Sequence, residues 1–184
     1  MRANLDWLYR ASGALAAFFL VAICVVVLLQ VGANLIDAVI KAFGGEPIGL
    51  VIPSYAEFTG FFLAASSFLA LAYTLRAGGH IRVELVLQRL GKGPRRFAEF
   101  WCVAAGAAVS MYFTWYSTSL VFESIEFGDL SPGIVPVPIW IPQAAMALGL
   151  AVLAIALIDE LVSLMRGGEP RYVESESANP AGHE

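Results

Sequence analysis

The sequence predicts an all-α integral membrane protein of four transmembrane helices, with a short cytoplasmic interfacial helix between helices two and three. Three observations predict it. First, the chain is 59% hydrophobic and 14% charged, against roughly 45–50% and about 25% in soluble domains. Second, the charged residues are segregated, leaving four windows without any, at 11–36, 58–75, 100–122 and 130–158. A bilayer core of roughly 30 Å takes about 20 apolar residues in a helix, so each window spans once. Third, ten basic residues fall on one side of the four spans: Arg2, Arg10, Arg76, Arg82, Arg89, Lys92, Arg95, Arg96, Arg166 and Arg171, with Lys41 alone on the other. Positive residues in short loops stay in the cytoplasm, so both termini are expected there.

The spans are expected at about 11–36, 53–76, 99–122 and 138–165. They form one transmembrane domain over residues 1–166. The first window is longer than the roughly 7–15 residues of a signal-peptide core, and no clear small-x-small cleavage site follows, which predicts a retained helix. It ends in a polar stripe, Gln30, Asn34, Asp37 and Lys41, whose spacing places all four on one face. One reading is a helix end emerging into headgroups, with Asp37 and Lys41 paired. The other is a buried contact with another helix or subunit, and Gln30, the deepest member, is its strongest candidate.

The second span begins near Pro53 or Ser54, which puts Glu57 in the first turn, where a carboxylate gains from the helix dipole. Gly60, Ala64 and Ala65 keep this helix thin, and Gly106 with its alanine neighbours does the same for the third span. Small residues let neighbouring helices approach closely. Within the connection at 78–94, residues 81–90 fit both a helical and a strand period, and a plain solvated loop is the alternative to either. A helix satisfies its own backbone at a membrane surface, so the expectation is an interfacial helix with Arg82 and Arg89 off its apolar face and His80 near its start. Pro138, Trp140 and Pro142 open the fourth span, with Trp140 suited to the aromatic belt. The tail at 167–184 has too few apolar residues to build a core and is expected to be disordered.

Several chemistries are missing. Neither histidine, His80 or His183, falls inside a span to ligate haem. No ionisable group sits at mid-span, where proton-coupled pumps carry theirs. There is no phosphate-binding Gly-rich loop and no Cys/His cluster, and Cys24 and Cys102 read as small packing residues within spans. No catalytic residue, substrate-binding residue, metal site or cofactor is predicted, and nothing points to nucleic acid.

Residues 5–166 resemble the small membrane subunit of tripartite ATP-independent periplasmic (TRAP) transporters. The likeness is carried by Gln30-Val31, by Glu57, by Gly79-His80-Ile81-Arg82-Val83-Glu84 and by Pro138-x-Trp140. Glu84 stands where an aspartate is expected, and the arginine often found after the Gln-Val pair is absent. The resemblance implies a scaffold in the bacterial inner membrane, on a large elevator-type subunit that imports an organic acid with sodium, and fed by a periplasmic binding protein. Gln30, Asn34, Glu57, Gly60, Ala64, Gly106, Pro138 and Trp140 are candidates for partner contact or structure. His80, Arg82, Glu84, Arg89, Lys92, Arg95 and Arg96 are candidates for the interfacial helix and phospholipid headgroups. Two rivals are a self-contained homo-oligomeric exporter built around Glu57 and a membrane enzyme or quinone anchor.

Overall fold

The computed structural model describes residues 2–77 and 92–166. Four helices account for most of them: α1 Arg2–Ala42, α2 Tyr55–Arg76, α3 Lys92–Phe127 and α4 Trp140–Met165. Each is long and apolar enough to cross a membrane. The expected interfacial helix, with His80, Arg82, Glu84 and Arg89, lies outside the described residues, as does the tail at 167–184. Lys92, Arg95 and Arg96, expected in that connection, fall instead in the first turns of α3. Pro94 does not stop the helix, because a proline in a first turn forfeits only an amide that has no intrahelical acceptor.

Two helices outrun their charge-free windows. α1 is 41 residues long, about 60 Å at 1.5 Å per residue, and α3 has 36 residues, about 54 Å. Lipid sets where charge stops, whereas the backbone ladder runs on until a terminator is met. For α1 the terminator is a Schellman turn: Gly44, at φ 78, donates its N–H to Lys41 O, and Gly45 donates to Ile40 O at 3.0 Å.

The helices stand in a row in the order α1, α2, α4, α3, since α1 packs on α2, α2 on α4 and α4 on α3. The contacts between neighbours are close because one side is small. A Cβ at Gly149 would lie 2.5 Å from the carbonyl carbon of Phe68, so α4 and α2 meet backbone to backbone. A Cβ at Gly13 would lie 2.7 Å from Tyr73 Cγ, and Ser12 Oγ donates to Leu69 O at 2.5 Å, fixing α1 to α2. Ala16, Ala65 and Leu69 fill the space between them, and Tyr9, Ala72, Val152 and Ala156 form a second cluster spanning α1, α2 and α4. Van der Waals contact of this kind replaces the hydrophobic drive that lipid cannot supply. Cys24 and Cys102 are free and exposed, so they do not pack inside the chain as expected.

Candidate scaffold interface

Every charged side chain described in the four helices lies towards one end or the other, and the two ends are built differently. At the end where α1 begins, Arg76, near the end of α2, reaches two helices at once. Its guanidinium pairs with Asp6 of α1, approaches Asp159 of α4 at 3.7 Å, and stands 5.2 Å from the centre of the Tyr9 ring. A planar guanidinium suits this post, offering several donors and a face for the ring. Tyr9 is 2% exposed, yet its hydroxyl has no partner, so the ring serves as a packing surface for the cation. Glu99 and Glu160 are buried towards the same end, and neither is free.

At the opposite end the chain must turn twice outside the helices, and its backbone amides need acceptors. The polar stripe of α1 supplies them. Gln30, 4% exposed, accepts Ile52 N–H on Oε1 at 2.9 Å and donates from Nε2 to Asn34 Oδ1 at 3.0 Å. Asp37 accepts Ile48 N–H at 2.9 Å and Gly49 N–H at 3.0 Å, one on each carboxylate oxygen. The expected Asp37–Lys41 pair is thereby replaced, because two charge-assisted bonds to fixed amides outweigh an exposed i,i+4 ion pair. Gln30 does make a buried contact, but with the connection that follows its own helix.

The second connection, between α3 and α4, docks on the start of α2. It is a small hairpin: Leu130 bridges Pro138, Ser131 N–H donates to Val137 O at 2.9 Å, and Ile139 N–H donates to Asp129 O at 3.0 Å. Ser54 holds it. Its φ of 56 is left-handed, which costs on the order of 1 kcal/mol for a residue with a Cβ, and its Oγ accepts Val135 N–H at 3.0 Å instead of capping α2. Glu57, in the first turn of α2, lays its carboxylate over Gly133, where a Cβ would sit 1.8 Å from Oε2. That oxygen is buried without a partner.

The remaining candidates scatter. Gly60 is exposed with nothing within 4 Å of a Cβ, Ala64 is half-buried, and Gly106 faces Leu157 of α4 at 3.7 Å. Pro138 belongs to the hairpin, and Trp140 begins α4 at 39% exposure. Sequence reasoning missed Asp6, Tyr9, Arg76 and Asp159 as one cluster. The signal was present, since Arg76 and Asp159 close two charge-free windows on the side where Asp6 precedes a third. Among the described residues no group of three or more His, Cys, Asp or Glu stands ready for a metal.

The arrangement braces the chain: polar groups tie helix to helix and connection to helix, and the long apolar flanks of α1 and α3 are left bare. The sequence model of the family described as tripartite ATP-independent periplasmic transporters, DctQ component, matches residues 47–167. The chain belongs to that family. It is thus the small membrane component of a TRAP transporter and a multi-pass membrane protein, and the matched stretch takes in the hairpin, Arg76 and Asp159, and the whole of α2, α3 and α4, while Asp6 and Tyr9 of α1 precede it. The family is one of transporter components, not of enzymes. No curated protein and no solved structure matches the chain.

Proposed function

We propose that this small TRAP component is a scaffold: it enlarges the stationary part of a large elevator-type membrane subunit, which imports an organic acid with sodium from a periplasmic binding protein. The observation that carries the reading is the placement of charge. Within the described spans no charged side chain lies near the middle, which favours a supporting part over one that carries the ion or substrate. What the chain offers is a braced row of helices, which suits a part that must not move while another part slides. The split of basic residues supports an inner-membrane protein with both termini in the cytoplasm, the Arg76 end inward. The run Arg89, Lys92, Arg95 and Arg96 then supports contact with anionic phospholipid headgroups.

Reconstitution tests the reading. Proteoliposomes holding the large subunit and this chain, supplied with binding protein and a sodium gradient, are expected to accumulate the solute. Either membrane component alone is expected to fail. Uptake by this chain alone would move the assignment to a self-contained exporter, with Glu57 as its carboxylate.

A further inference from the structure

The two outer helices of the row show unlike surfaces. Along the middle of α1, between Leu15 and Val39, the large exposed residues are aliphatic or phenyl, among them Phe18, Val21, Val25, Leu28, Leu29 and Leu35, and the exposed Trp7 stands near the helix start. On α3 they include Tyr112 at 58%, Tyr116 at 56% and Trp115 at 74%, with Ser119 also exposed. Trp101, Tyr112, Tyr116 and Ser119 recur at helical spacing on one stripe. That stripe lies opposite Val103, Ala107, Ser110 and Ser124, which are buried on the α4 side.

Depth gives the stripe its meaning. Tyr112 stands at the centre of the apolar span Phe97–Phe127, so its hydroxyl is about 15 Å from either edge of a bilayer core, farther than a phenol can reach. Tyr116 is one turn, about 6 Å, nearer the Glu57 end. The two rings lie 4.6 Å apart, and neither hydroxyl bonds to a described residue of this chain. A phenol O–H in hydrocarbon without an acceptor is costly, so lipid is the wrong neighbour. A second copy is also wrong: a two-fold axis along the membrane normal would set the exposed Glu123 and Glu126, at the end of the same face, against their own copies.

We infer that the Tyr112–Tyr116–Ser119 stripe of α3 is the face that receives a transmembrane helix of the large TRAP subunit, one offering hydrogen-bond acceptors at mid-membrane and a Lys or Arg level with Glu123. The inference rests on the scaffold reading and names its contact surface. Ala105 and Ala108, exposed on the same stripe, allow the partner backbone to come close. α1, by contrast, faces lipid.

The test is site-specific photo-crosslinking in membranes that contain the complete transporter, with a benzophenone amino acid replacing Tyr116 or, as the control, Leu28. Both positions are exposed, so folding is not at risk. A Tyr116 adduct with the large subunit, and none from Leu28, is the expected result. The double variant Tyr112→Phe/Tyr116→Phe is expected to retain about fivefold to tenfold less large subunit in detergent, the scale of two membrane-buried hydrogen bonds. If the large subunit co-purifies with the unaltered chain but Tyr116 captures only lipid or a second copy, the α3 face is wrong and the scaffold reading stands. If the unaltered chain brings down no large subunit, the scaffold reading fails and this inference fails with it.

Discussion

The Arg76 end and the Glu57 end hold the same helices together by different means. At the Arg76 end, helix termini lie side by side, and one cation reaches two carboxylates and a ring from neighbouring helices. At the Glu57 end the chain leaves the helices, and side chains are committed to backbone amides: Gln30 to Ile52, Asp37 to Ile48 and Gly49, Ser54 to Val135. The difference follows from where the backbone is already satisfied. Inside a helix every peptide group finds its partner four residues away, so charges are free to pair with each other. In a turn the amides have no helical acceptor, and nearby polar side chains take that place. Between the two ends, Gly149 meets the Phe68 backbone and holds α4 against α2.

Breaking that middle should have the largest effect. Gly149→Leu has backbone, not a movable side chain, in its way, and is expected to cost about 3 kcal/mol or more and to loosen both ends. Gly60→Leu is the matched control, with open space at its Cβ. Steric-trap unfolding in bicelles measures both, and equal stabilities would contradict the close approach.

Next in size is Gln30→Leu. It strips the Ile52 amide of its acceptor at a buried site and is expected to cost about 1–3 kcal/mol. The damage should be confined to the Glu57 end, seen as faster proteolysis of the 43–54 connection with the Arg76 end unchanged. Uniform loosening would show that the ends are not independent.

Arg76→Ala is expected to cost about 1–2 kcal/mol, reduced from a fully buried pair because the Asp6 side chain is 45% exposed. This loss separates the two chemistries. Raising salt should weaken the unaltered protein at the Arg76 end and leave Arg76→Ala almost insensitive, while the Gln30 clamp persists. Equal salt sensitivity in both proteins would contradict the ion-pair account.

Smallest of all is Tyr9→Phe. The hydroxyl it removes has no partner, so stability should stay within about 0.5 kcal/mol, whereas Tyr9→Ala removes the ring beneath Arg76 and should cost about 3 kcal/mol or more. A large loss in Tyr9→Phe would reveal a hydrogen bond at that oxygen.

The four helices were legible because lipid is a stringent solvent: charge-free windows at 11–36, 58–75, 100–122 and 130–158 leave few alternatives. Helix ends were less so, since α1 runs to Ala42 past Asp37 and Lys41, and a Schellman turn, not a charge, stops it. The α1 stripe was seen as one face, but its partners were not, because Gln30 and Asp37 bond amides 11 to 22 residues away that any sequence would carry. Gly149 and Gly133 were passed over for a related reason. A glycine's meaning lies in the backbone or carboxylate pressed against it, and the sequence does not say which element will be there. Glu57 was placed correctly in a first turn, yet its carboxylate answers to Gly133 on a hairpin about 75 residues later.

The central claim is that this chain works as part of a larger membrane complex. Affinity purification from its native membrane in mild detergent, with mass-spectrometric identification of what accompanies it, tests that claim most directly. A large polytopic TRAP subunit recovered in near-stoichiometric amount is the predicted result. Recovery of the chain by itself as a stable homo-oligomer would contradict it.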